Sequence, residues 1–440
     1  MPLRPRPTFA IAGLATALLL AGCNNDSDSS GSVSASAVKQ NHVAMARAGY
    51  QDSLSSAEAL QSAVDTFLAN PTAGNLQAAR DAYKTARKPY QQTEIMRWDT
   101  AITNGQDLAA DGGPESVDAW EGQVNAWPLD ETLIESIIAG NEPITAQLLI
   151  DNFEKDGNEA NVTTGIHAIE FMLWDQDQSG PGRGPGQRSH NEFASNASCA
   201  IDNSSLECRN AAYLKAATDL LVDDLRAMAA EWSETAENTQ GTLAYNFLNS
   251  NQALDQIAQA LASMGVGELG GARLSAGLWR PNLPGIGYVD GDLEEEHDCF
   301  SDLSHVALYY NFQGLLNAFY GSYQRLDGSE VSGTSFASYI RAIDPSSYQA
   351  MDSILQDAKV QMEIVYQAGE NGTSFDDIIA ESRDYYDSEE SGGTPAAKSA
   401  ALVAVEALIA RLADIEQTVL DISEALSLAA VDPDAIGETD

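Results

Sequence analysis

The run Thr164-Gly165-Ile166-His167-Ala168-Ile169-Glu170-Phe171-Met172-Leu173-Trp174 is apolar except at His167 and Glu170. A separation of three places both on one face of a helix. A helix that is apolar nearly all round is a buried one. A buried carboxylate is costly unless a cation, a metal or several donors hold it. The pair therefore marks a candidate site. The competing reading is a buried hydrogen-bonded network in which an arginine neutralises Glu170.

A second segment, Leu293 to His305, carries two of the chain's 5 histidines, His297 and His305. If it is helical, Glu294 and His297 form a Glu-x-x-His pair on one face, and Asp302 and His305 form another three-residue pair. Glu-x-x-His pairs on bundle helices bind iron-type metals. Imidazole with carboxylate suits iron, manganese or zinc. The competing reading of Glu294–Glu296 is an acidic helix start. A third segment, Ala86 to Trp98, puts Tyr90, Glu94 and Arg97 on one helical face. Glu94 joins the candidate ligands, and an internal Glu94–Arg97 ion pair is the alternative.

The elements that must position these residues read as helices throughout. They are expected over Val38–Ala69, Ala73–Trp98, from Pro128–Glu131 onward, Thr145–Phe153 and Thr163–Trp174. Further helices are expected over 210–236, 243–264, 300–324, 346–367 and 395–428. Asn70-Pro71 stops the first, and Asp130 or Pro128 caps the helix that starts at Pro128–Glu131. Residues 100–128 and 176–209 read as irregular, and the Gly- and Pro-rich segment Gly265–Gly291 as a break. No strand-type alternation of useful length occurs. The expected fold class is all-α, with two helical-bundle halves at 38–205 and 206–430. A diverged duplication is compatible with their similar style, and residues 431–440 form an acidic tail.

With 65 acidic against 23 basic residues the formal net charge is −42. Such a surface excludes electrostatic binding to nucleic acid or anionic headgroups and favours cations. An acid-rich surface is also a solubility adaptation to salt, so the charge alone assigns no function. The N-terminus has Arg4 and Arg6, the apolar run Phe9–Leu20, and then Leu20-Ala21-Gly22-Cys23. This is a secretory signal over 1–22, too short to span a bilayer. Its end resembles the bacterial lipobox, which implies lipidation at Cys23 and a membrane contact through the lipid alone. Residues 23–37 read as the lipidated Cys and a flexible tether. Asn24 favours outer-membrane sorting, so the expected location is the periplasmic side of the outer membrane or the cell surface. The compartment is oxidising and permits a disulfide. Cys199 and Cys208 flank a short polar loop and are the expected pair, with Cys299 pairing to either as the alternative.

Gly165-x-His167-x-x-Glu170 resembles the Gly-x-His-x-x-Glu signature of the imelysin family. Pro89-Tyr90-Gln91-Gln92-Thr93-Glu94 with Arg97, Asn125–Glu131 and Glu296–Asp302 are similar to further blocks of that family, in the same order. The resemblance spans roughly 40–428. It implies an all-α fold of two bundle-like domains, an envelope lipoprotein linked to iron uptake, and a metal site at His167 and Glu170. The family is also associated with a metallopeptidase activity. The sequence departs from the pattern at Leu303-Ser304, and Leu278–Tyr288 reads as an insertion. The expected ligand is a divalent metal, iron or zinc, or an iron-containing species. A zinc peptidase needs three protein ligands, an open position and a base. His-Glu-x-x-His is absent from the chain, so a peptidase would have to recruit Glu94, His297 or His305, with Glu170 as its catalytic carboxylate. Binding asks less of these residues. Covalent haem is excluded, because no Cys-x-x-Cys-His string occurs.

Overall fold

The computed structural model describes residues 33–97, 122–177, 184–201, 203–283, 287–289 and 291–428. The signal, Cys23, the tether up to residue 32, Trp98, the segment up to residue 121 and the acidic tail lie outside the described residues. From Val33 onward the described residues pack as one unit.

The fold is all-α. Helix α1 (Ala35–Ala69) begins at Ser34, whose hydroxyl accepts from the Ala37 N–H, satisfying an N–H that has no intrahelical partner. Thr72 caps α2 (Ala73–Thr93) in the same way. The two form an antiparallel hairpin across Asn70-Pro71. In α1 the side chains of Leu60, Val64, Phe67 and Leu68 are fully buried, at the three- and four-residue spacing of one apolar stripe. Helix α2 tightens into a 3-10 turn at Glu94–Met96 rather than running to Trp98 as an α-helix. Asp130 caps α3 (Glu131–Ala139), and α4 (Ala146–Asn152) follows.

Helix α5 (Gly165–Trp174) has every residue buried, packed against α2 and against α6 (Leu206–Glu231). Its first residue has φ +75°, and a Cβ there would lie 2.4 Å from the Val124 carbonyl oxygen. Glycine is required on both counts. Within the expected loop 176–209, Cys199 and Cys208 are joined by a disulfide.

The expected helix 243–264 is two helices, α7 (Leu243–Asn249) and α8 (Ala253–Ala262). Between them the Ser250 hydroxyl accepts from the Gln252 N–H in a local turn, which competes with helix continuation. The break expected from Gly265 begins later than the glycines suggest. Ser263–Arg273 continues α8 as a π-helical segment. The glycines there serve close packing, since a Cβ on Gly265 would come within 2.8 Å of Ile415 Cδ1.

Helix α9 (Ser304–Tyr320) lies against α2, with Gly314 so close that a Cβ would sit 2.8 Å from the Gln92 carbonyl oxygen. Helices α10 (Phe336–Ile343) and α12 (Phe375–Glu390) were not evident in the sequence pattern. Helices α11 (Pro345–Glu370) and α13 (Ala400–Leu426) pack on one another. Among the described residues two antiparallel hairpins interrupt the helices, Arg280–Leu283 with Gly287–Val289 and Ser322–Gln324 with Glu330–Ser332. Their strands are three or four residues long, too short for an alternation to be read from sequence.

Candidate metal centre

Residues from four separate stretches meet around α5. His167 and Glu170 project from α5, and their side chains are 0 % exposed. His167 Nδ1 is hydrogen-bonded to Glu170 Oε2 at 3.0 Å. The other oxygen, Oε1, accepts from the Ser301 N–H at 3.0 Å and from its hydroxyl at 2.5 Å. Asp298 completes the group. One ligand atom from each of His167, Glu170 and Asp298 lies within 4.8 Å of the other two, and all three residues are buried.

Asp298 is held by Arg87 of α2, whose Nη2 lies 2.8 Å from both carboxylate oxygens. Its hydrogen bond goes to Oδ2, and Oδ1 accepts none. The guanidinium also donates to Asn125 Oδ1 at 2.7 Å. Asn125 in turn donates to Glu94 Oε1 at 2.7 Å.

The electrostatics follow from burial and these partners. Burial pushes the Asp298 carboxyl up, but Arg87 and the other cations outweigh it and hold it below its ordinary value. Glu170 is pushed well up, first by burial and then by the Asp298 charge. His167 is pushed down to about 3 by burial, so its imidazole is neutral. A neutral imidazole is the metal-binding form. With Nδ1 engaged by Glu170, Nε2 is the remaining ligand atom, and it has no hydrogen-bond partner. A carboxylate on the far nitrogen of a ligating histidine fixes ring orientation and raises its basicity.

The other expected ligands are placed elsewhere. His297 lies beside the group, its ring centroid 6.2 Å from that of His167 and 5.8 Å from that of Trp127. A cavity of about 10 Å³ lined by His297, Asp298, Arg273 and Ser304 adjoins it, close to the room one water needs. The Glu-x-x-His face expected for Glu294 and His297 does not form. Leu293–Glu295 is a single 3-10 turn and Glu296 is extended, so the chain there is not an α-helix and has no shared i, i+3 face. Glu94 is a structural anion here. Its oxygens are held by Asn125, by Asn311 and by Arg273, whose Nη2 is 3.2 Å away. Arg97 pairs at 3.0 Å with Glu268 of the π-helical segment. Burial pushes Glu268 up, but Arg273 and Arg97 outweigh it and hold it at about 2. His305 is engaged at both nitrogens, Nδ1 by the Asp302 carbonyl and Nε2 by Glu370 Oε1, each at 3.1 Å. Asp302, in a left-handed conformation, faces a group of other acids.

Sequence reasoning missed Arg87, Ser301, Arg273 and Glu268 as site residues, and gave Asp298 no role of its own. One signal was present along α2 and the turn that follows it: Tyr83, Arg87, Tyr90 and Glu94 recur at spacings of four, three and four, the stripe that a helix buries. An arginine in such a stripe needs an anion.

An all-helical chain with a buried His–Glu–Asp group of this kind defines the class. The imelysin family model (Peptidase_M75) matches residues 46–419, and the chain belongs to that family. It is 28% identical over 115 residues to iron-regulated protein A of Synechococcus elongatus. That match spans 26% of this chain and 24% of the relative. A crystal structure assigned as an iron-regulated protein A precursor, from Parabacteroides distasonis, matches with TM-score 0.51 at 20% identity, over 87% of this chain and 94% of that one. An imelysin-like protein from Psychrobacter arcticum matches with TM-score 0.50 at 13% identity, over 90% of this chain and 97% of that one. At these identities the two structures speak for the fold.

Proposed function

We propose that the chain is a lipid-anchored envelope protein that binds a divalent metal, iron or zinc, at His167 and Asp298, with Glu170 orienting the imidazole, in the service of iron uptake or homeostasis. The observation that carries the reading is a buried ligand atom left unsatisfied. His167 Nε2 has no hydrogen-bond partner, in a buried group in which one ligand atom from each of His167, Glu170 and Asp298 lies within 4.8 Å of the other two. Buried polar atoms are normally satisfied. Metal–ligand bonds of about 2.0–2.2 Å would require the group to close around the ion. A bound cation would supply positive charge between two buried carboxyl groups. The chain's own contribution is a neutral imidazole oriented by Glu170, a carboxylate held ionised by Arg87, and a shell of buried side chains that excludes water.

The link to iron is supported by the relatives named for iron regulation. Anchoring is supported by Leu20-Ala21-Gly22-Cys23 and predicts that Cys23→Ala releases the protein from membranes. Binding is favoured over peptide cleavage because His167, Glu170 and Asp298 are all 0 % exposed, which leaves no approach for a polypeptide substrate. Metal analysis and calorimetry with and without His167→Ala test the reading. Stoichiometric metal lost in the variant supports it, and equal binding by both proteins overturns it.

A further inference from the structure

We propose that His297 is a positioning residue of the buried centre, and that the cavity beside it seats one small exchangeable ligand, a water molecule or a monatomic anion of that size. The inference rests on the reading of His167 and Asp298 as metal ligands. It adds the place of a ligand that the protein does not supply.

The converging ligand atoms come from His167, Glu170 and Asp298, and His297 is not among them. Its ring is nonetheless held against the centre. Trp127 packs edge-on to His167, with ring centroids 4.9 Å apart, and stacks on His297, with centroids 5.8 Å apart. The indole is itself fixed, because its N–H donates to the Glu294 carbonyl oxygen at 2.8 Å. Stacking on Trp127 sets the plane of the His297 ring, and its Nδ1 is enclosed without a hydrogen-bond partner. Buried polar atoms are normally satisfied, by ordered water where no protein group serves.

The space for such a partner adjoins the ring. The cavity lined by His297 and Asp298 has a volume of about 10 Å³, close to the room that one water needs. Arg273 and Ser304 add polar groups to its wall, and Ala307 and Phe375 add apolar ones. A buried water takes two to four polar partners, and this wall supplies them. Asp298 belongs both to the cavity and to the ligand group, so an occupant of the cavity lies beside the metal position.

Two protein ligands leave a metal with open positions, and a water commonly completes such sites. The cavity's size selects what enters. Water, hydroxide or fluoride fits, whereas azide, a carboxylate or phosphate does not. The side from which exchange occurs is also marked. His297 retains some exposure, while His167 and Asp298 have none.

One equivalent of cobalt(II) on the full-length chain, followed by visible absorption as fluoride or azide is added, tests the proposal. The variants are His297→Phe, which keeps a ring against Trp127 without its nitrogens, and His297→Asn, whose amide stands in for Nδ1. Ala307→Val fills the cavity, and His167→Ala reports the metal site itself. The expected result is a one-site spectral change with fluoride and none with azide. His297→Phe weakens the fluoride response about tenfold or more, His297→Asn keeps it, and Ala307→Val abolishes it. Cobalt that is lost in His167→Ala, yet ignores fluoride in the parent or answers azide equally, overturns the inference and leaves the metal reading standing. A fluoride response unchanged in His297→Phe, or lost equally in His297→Asn, does the same. Absence of cobalt at His167 in the parent overturns both. If circular dichroism shows His297→Phe or Ala307→Val unfolded, the other decides. If both are unfolded, the contrast between fluoride and azide in the parent decides alone.

Discussion

His167 Nδ1 and Glu170 Oε2 stand 3.0 Å apart on one turn of a helix that no solvent reaches. Ser301 holds the carboxylate's other oxygen through both its N–H and its hydroxyl. The imidazole is thereby fixed in rotation, with Nε2 left as its free atom.

Glu170→Gln keeps the shape of the side chain but replaces the carboxyl by an amide, a poorer acceptor for the Nδ1 proton. Loss of such an orienting partner lowers metal affinity by about 10–100-fold. Calorimetric titration of the folded variant checks this. An unchanged dissociation constant would show that Glu170 neither ligates nor orients.

Arg87 and Asp298 are 1% and 0% exposed and pair at 2.8 Å. Arg87→Met leaves a buried carboxylate without its cation, which costs about 3–5 kcal/mol. Replacing Asp298 by Leu in the same chain removes the orphan and restores most of that loss. Urea unfolding midpoints of the single and double variants read both effects. A single variant within about 0.5 kcal/mol of the parent would mean that water already solvates Asp298.

Gly165→Ala places a methyl where the Val124 carbonyl oxygen would be 2.4 Å away, at φ +75°. The backbone must shift, and α5 with it. The expected loss is about 2 kcal/mol or more, with weaker metal binding because His167 and Glu170 move together. Denaturant melts and a metal titration check the two parts separately.

The same residue shows what the sequence made legible. The signature Gly-x-His-x-x-Glu is local, so its face, its burial and its helix follow from spacing alone. Asp298 and Ser301 belong to a segment whose acids suggested a helix, but the chain there is a 3-10 turn, an extended residue and another 3-10 turn. Its partners lie more than a hundred residues away, and no periodicity reports such pairings. The π-helical segment was hidden for a different reason. Its glycines signal a break locally, whereas packing against Ile415 and Leu412 keeps it helical, a case of tertiary contact overriding propensity. Helical content itself was legible because long amphipathic repeats need no distant partner to be recognised.

His42 supplies a pH test remote from the metal centre. Its ring stacks on Phe247 with centroids 4.5 Å apart, and neither nitrogen has a hydrogen-bond partner. Burial pushes its pKa from 6.5 down to about 3. The unfolded chain therefore binds a proton that the folded chain refuses between those values. This contribution is constant above pH 6.5 and turns against the fold as pH falls, by about 2 kcal/mol at pH 5. His42→Phe removes the effect. Its stability should fall less than the parent's between pH 7 and pH 5. Parallel pH profiles would show that His42 is protonated in the folded protein.

The most direct test of the central claim is anomalous scattering from crystals of the metal-loaded protein, recorded on either side of the iron edge and the zinc edge. The account predicts a peak within bonding distance of both His167 Nε2 and Asp298, lost in His167→Ala. Full metal loading with no peak between those two residues would contradict it.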